Sequence, residues 1–118
     1  MVALMASGLV LLIPLLAAAA QAAHSGASDF TLVNGTSAQL SDVSIRRAGT
    51  QEWNSLDAAP PAGARAPVRF TNKDCAFDIR ATVPGSGPVT WADVNLCDVK
   101  AVILKRDQSA GAWGDYDQ

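Results

Sequence analysis

Histidine is almost missing from this chain: His24 is the single one in 118 residues. Nucleophilic catalysis through a Ser-His or Cys-His pair needs an imidazole held rigidly beside its nucleophile. His24 lies instead in a short polar lead ahead of the patterned part of the chain. Cysteine is scarce as well, only Cys75 and Cys97, and two thiols with no nearby histidine make half a zinc site. Basic charge is not in excess. Nine Lys and Arg stand against 11 Asp and Glu, for a net charge of −2 and a pI near 5.1, whereas nucleic acid calls for a basic face. The pairs Arg46-Arg47 and Lys105-Arg106 are isolated and read as solvated strand ends. No Asp-x-Asp-x-Asp-Gly loop offers calcium its oxygens, and no amphipathic helical period runs anywhere. No cofactor and no catalytic residue is expected.

Charge is also absent from Met1 to Ala23, where Val2 to Leu16 is apolar apart from Ser7, Gly8 and Pro14. The run ends in alanines, and Ala20 and Ala22 supply the small residues that signal peptidase requires. Residues 1–22 are therefore expected to be a signal peptide cut after Ala22, with no stable membrane span afterwards and a periplasmic or extracellular destination. A retained anchor is the alternative, because about 20 apolar residues just span a bilayer. No Lys or Arg precedes the run; either the start is misassigned or the signal relies on its amino terminus alone. The cut would make His24 the second mature residue, where amine and imidazole chelate Cu²⁺; a cut after Ala23 would make it the first, but no second histidine completes a two-histidine copper site, and fortuitous placement is the better reading. About 95 residues remain, enough for one thin core. Two cysteines in an exported chain read as one disulfide, closing a loop of about 22 residues and stabilising by about 3 kcal/mol; two buried thiols are the alternative.

What is present is the alternation of β-strands. After a flexible lead at residues 23–28, residues 29–33 read as a strand, then Asn34-Gly35 as a turn. Residues 41–47 alternate Val43 and Ile45 against Ser44 and Arg46. Residues 48–66 hold Trp53, Leu56, Pro60 and Pro61 without a period and read as a long loop, with one helical turn near residues 54–58. Strands resume at residues 66–71 and 75–83; the second places Cys75, Phe77, Ile79, Ala81 and Val83 on one face. Pro84-Gly85-Ser86-Gly87-Pro88 is a turn, residues 89–96 the returning hairpin strand, and residues 99–104 an inner strand. In that hairpin the disulfide would staple the open end. The domain is expected at residues 29–106, with a loose polar tail at 107–118. The fold class is all-β, a small antiparallel β-sandwich of six to seven strands with one disulfide.

The candidate surface follows from strict alternation. Trp91, Asp93 and Asn95 share one strand face, and Val94 and Leu96 the other. If Val94 and Leu96 face the core, Trp91 faces outward and forms with Trp53 a surface suited to sugar or protein. The alternative is that Trp91 caps the core edge beneath the long loop, packed on Trp53. The carboxylates Asp74, Asp78, Asp93 and Asp98 are candidates for acid–base work or calcium. For Asp78 and Asp93, on neighbouring strands, the stronger reading is that of ordinary surface ion pairs with Arg80 or Lys73. Asn34-Gly35-Thr36 fits a glycosylation acceptor.

Three segments carry a resemblance. Phe30-Thr31-Leu32-Val33-Asn34-Gly35-Thr36, Cys75-Ala76-Phe77-Asp78-Ile79-Arg80 and Trp91-Ala92-Asp93-Val94-Asn95-Leu96-Cys97, with Trp53 between the first two, resemble a group of small exported bacterial proteins. That group shows Phe-x-Leu-x-Asn-x-Thr, Cys-x-aromatic-Asp and Trp-x-x-Val-Asn-Leu-Cys patterns, and the likeness covers residues 29–104. It implies export and a compact β-sandwich of unassigned function, and an Asn34 sequon that is only a turn. Some members carry an argininosuccinate lyase label, read here as a transfer error, because that chemistry belongs to large, helical, oligomeric enzymes. The residues 58–67 and the tail with Trp113 and Tyr116 depart from the group. The expectation is a secreted, non-catalytic binding module with an unknown protein or glycan partner, its surface at Trp53, Trp91, Asp93 and Asn95. A carboxylate- or metal-dependent site and a purely structural envelope protein are the rivals.

Overall fold

The computed structural model describes residues 26–118; the expected signal peptide and His24 lie outside the described residues. Eight strands follow one another: β1 (Phe30–Asn34), β2 (Ser41–Arg47), β3 (Asn54–Ser55), β4 (Arg65–Val68), β5 (Ala76–Val83), β6 (Gly87–Asn95), β7 (Ala101–Asp107) and β8 (Gly111–Asp117). They form two four-stranded sheets, β4-β1-β7-β8 and β3-β2-β5-β6. The fold is an all-β sandwich with one disulfide. All neighbours are antiparallel except β1 and β7, which run parallel at the centre of the first sheet. No helix among the described residues is long and apolar enough to cross a membrane.

The core forms where the apolar alternation of one sheet meets that of the other. Leu32, Val102 and Leu104 face Val43, Ile45, Ile79, Ala81 and Val94, all but fully buried. Each Val, Leu or Ile among them contributes about 1.5–3 kcal/mol when taken from water. Phe30, Phe70 and Phe77 close one end in edge-to-face contacts of 6.1 and 5.1 Å between ring centres. The β5–β6 hairpin turns as its residues demand: Pro84 and then Gly85 at φ 81° occupy the middle of a turn in which Ser86 N–H donates to the Val83 carbonyl, the type II arrangement. The disulfide joins Cys75 to Cys97 at a Cα–Cα distance of 5.1 Å. It sits just beyond the last hairpin pair, Ala76 opposite Asn95, and so staples the open end.

Three expectations are corrected. The tail is not loose: residues 111–117 are β8, paired along its whole length with β7. Its half-buried positions are Ala112 and Gly114, too small to leave much hydrophobic signal, yet Gly114 packs toward Val94 and Val102, and on the same face the exposed Tyr116 accepts through its Oη from Asn95 N–H. Asp107 organises the preceding turn by accepting from Ser109 and Ala110 N–H. The lead is not free from Gly26 onward: Ala27 is buried, bridged to Asn72 and Cys97. The residues near 54–58 make no helical turn; Asn54 and Ser55 pair with Ile45 and Ser44 instead.

Asn34 is the residue whose role the turn reading missed. It is fully buried, and its Nδ2 donates to the carbonyls of Ala38 (2.8 Å) and Pro60 (3.0 Å). Its Oδ1 accepts from Thr36 N–H and Thr36 Oγ1, and its backbone bonds Gly63 and Ala64. One amide therefore ties the turn after β1 to the proline-rich end of the long loop, and with its nitrogen fully used it is not an accessible sequon. Asn34→Ala is expected to cost about 2–3 kcal/mol, because two carbonyls lose their donor in a buried site; urea unfolding of the oxidised protein measures it.

Candidate functional site

The candidate residues lie mostly along β5 and β6, and their disposition turns on one irregularity. Phe77 pairs with Val94 and Ile79 with Trp91, so Asp78 alone faces both Ala92 and Asp93. This is a β-bulge, two residues against one, and it shifts the alternation by a residue. Asp93 makes it possible by adopting φ 55°, a left-handed conformation that aspartate tolerates better than most residues. A second bulge lies on the other side of β5, where Asp42 at φ 52° interrupts the pairing between Ser41 and Ser44.

The β6 bulge overturns the outward placement of Trp91. Trp91 and Val94 both face the core, and Trp91 is fully buried. Its Nε1–H reaches across the sandwich to the Lys105 carbonyl of β7 at 2.7 Å, so it is a core pillar joining the two sheets. It is neither a recognition surface nor a cap under the loop. Asp93 and Asn95 remain exposed, Asn95 bonding Cys97 N–H through its Oδ1. The expected cluster of Trp53, Trp91, Asp93 and Asn95 therefore loses its central member.

Trp53 stands on the outer face of the second sheet. The guanidinium carbons of Arg46 and Arg80 lie 4.5 and 4.0 Å from its ring centre. Arg46 and Arg80 project outward because Ile45, Ile79 and Ala81 take the inward positions of the same strands. Arg46 Nε donates to Asp78 Oδ2 at 2.8 Å, and the Asp93 N–H freed by the bulge donates to Oδ1 at 3.0 Å. Asp78 is thus a buried carboxylate, not the exposed surface partner of Arg80 or Lys73. Burial by itself raises its pKa; the Asp93 N–H and the Arg46 guanidinium outweigh that, and the net shift is downward. A carboxylate so held stays ionised and gives little to proton transfer.

Beside Trp53 runs an open groove of about 510 Å³, lined by Asp42, Ser44, Ser55, Arg80 and Thr82. A cleft of about 740 Å³ opens at the aromatic end of the core, floored by Leu56, Phe70 and Phe77, with Arg47, Arg69 and Lys73 facing Glu52, Asp57 and Asp74. Arg47 and Asp74 approach to 3.4 Å there, a solvent-exposed pair of small energetic value. Among the described residues no three His, Cys, Asp or Glu side chains gather as a metal ion would require. No protein-family model, curated protein or solved structure matches the chain.

Two outcomes follow. The folded pKa of Asp78 is depressed, so its contribution to stability is complete above the unfolded pKa, about 3.9, and is lost as the pH falls through the folded value. Urea midpoints taken from pH 6 down to pH 2.5 are expected to drop more steeply for the native chain than for Asp78→Asn. Trp91→Ala is expected to cost about 3–5 kcal/mol as a core truncation, whereas Trp53→Ala is expected to cost about 1 kcal/mol, the scale of exposed cation–π contacts; the same unfolding curves separate them.

Proposed function

We propose that this chain is an exported, non-catalytic binding module whose recognition surface is centred on Trp53. The observation that carries the reading is the indole held at the surface of an exposed sheet face by Arg46 and Arg80. Aromatic rings held beside polar groups favour recognition, because they offer large contact area at small entropic cost. Asp78, committed to Arg46 and to the Asp93 N–H, supports the non-catalytic side of the reading. The disulfide supports export, since such bonds persist in oxidising compartments. The resemblance of its sequence patterns to small exported bacterial proteins, itself part of this proposal, would agree with export.

Intrinsic fluorescence tests the reading. In Trp113→Phe only Trp53 and the buried Trp91 remain, so a ligand-dependent change reports Trp53. The protein recovered from outside the cytoplasm, with Ala23 as first residue by intact mass, is titrated with soluble polysaccharides and peptide libraries. A saturable shift that disappears in Trp53→Phe is the expected result. An emission unmoved by every ligand class, or a chain retained in the cytoplasm, would count against it.

A further inference from the structure

The groove beside Trp53 has a chemical polarity of its own. Of the two guanidiniums over the indole, that of Arg46 is neutralised by Asp78. That of Arg80 has the ring as its contact and no carboxylate within ion-pair distance among the described residues. An indole attracts a cation through its quadrupole but accepts none of the N–H donors at the guanidinium edge, which have no protein acceptor among the described residues. Arg80 is held half-buried on the groove floor, so its fork is positioned before any ligand arrives.

The neighbours of that fork are hydroxyls. Ser44 lies directly opposite Arg80 in the β2–β5 register, and Thr82 is two residues further along β5 on the same face. Both hydroxyls are without a hydrogen bond among the described residues. Ser55, by contrast, already donates to Asp57. Exposed Asp42 lies beyond Ser44 toward the Thr82 end, an acceptor suited to ligand hydroxyls. The line from Trp53 along the groove thus offers an apolar ring, a cation with free forked donors, two neutral hydroxyls and an acceptor.

Resting on the binding-module reading, we infer that this groove takes a carboxylate-bearing sugar, a uronate unit of an acidic polysaccharide. The uronate carboxylate meets the Arg80 fork, the geometry in which guanidinium and carboxylate pair best. The ring hydroxyls meet Ser44, Thr82 and Asp42, and the apolar C–H face of the sugar lies toward the Trp53 indole. An open groove suits a segment of a chain rather than an enclosed small molecule. The net charge of −2 gives polyanions no general attraction to this protein, so the preference is local to Arg80.

The experiment uses the oxidised protein carrying Trp113→Phe, with short oligogalacturonates and oligomannuronates, and the same oligomers methyl-esterified, as probes. The acids are expected to bind saturably and shift Trp53 emission, the esters to bind at least about tenfold more weakly, and Arg80→Gln to lose about as much, since a hydrogen bond to a charged group is of that size. Arg69→Gln, in the separate cleft, is expected to change nothing. Equal binding of acid and ester would overturn the carboxylate assignment while leaving the Trp53 module standing. Loss of binding in Arg69→Gln would place the acid in the other cleft and overturn it too. So would no binding of either oligomer, and the module reading would then stand or fall on the wider ligand panel. The ester comparison needs no variant at Arg80, so misfolding of Arg80→Gln leaves the test intact.

Discussion

A carboxylate removed from water must be given partners, and the partners of Asp78 tie together the inner and outer faces of the second sheet. Its Oδ1 takes the N–H that the β6 bulge leaves unpaired, and its Oδ2 takes Arg46. Without an acceptor at that point the extra residue would leave a donor stranded, which costs about 1–3 kcal/mol in a buried setting. The bulge in turn is what lets Trp91 and Val94 point inward together. On the outer side the same carboxylate neutralises Arg46 and fixes it against Trp53. Core and surface thus share one acceptor, and a change at Asp78 is felt on both.

This also explains which parts of the molecule were legible in the sequence. Strands β2 and β5 announce themselves because Val43/Ile45 and Phe77/Ile79/Ala81/Val83 keep a strict period of two and bury those positions. The β5–β6 turn is written in Pro84-Gly85, and the disulfide in two cysteines at the ends of a hairpin. Period-two reasoning fails at β6 because a bulge costs one residue of register, and its only local mark is Asp93, which is an ordinary surface residue in an unbroken strand. With Val94 and Leu96 taken as inward, the assignments on the near side of the bulge invert, which is why Trp91 reads as exposed and proves to be the largest fully buried side chain. A signal was available: Trp91 and Val94 are apolar three apart, while Ala92 and Asp93 between them are not both compatible with one buried face.

β8 and Asn34 were hidden for a different reason. Ala112 and Gly114, the half-buried positions of β8, are small, and a Cβ at Gly114 would already stand in van der Waals contact with Val94 and Val102. Hydrophobic patterning cannot register a strand whose inner face has almost no side chain. Asn34 is a turn residue by local preference, but its function is set by the carbonyls of Ala38 and Pro60, the second 26 residues away. Such a role exists only once the long loop has come back to it.

That return matters for the outer face. A loop with two prolines and no regular period would ordinarily sample many arrangements and lose entropy on meeting a ligand. Here it is held at several points: Ala48 N–H to Ala76, Thr50 N–H to Arg47, Leu56 N–H to Val43, and the proline end to Asn34. Trp53 lies between the second and third of these, with two guanidiniums against its ring. Much of the ordering cost of this indole is therefore met in folding rather than in binding. The same tethering gives up adaptability, so under the proposed binding role this surface would suit one class of ligand shape more than many, and the Arg80 guanidinium beside it would favour a negative charge on that class.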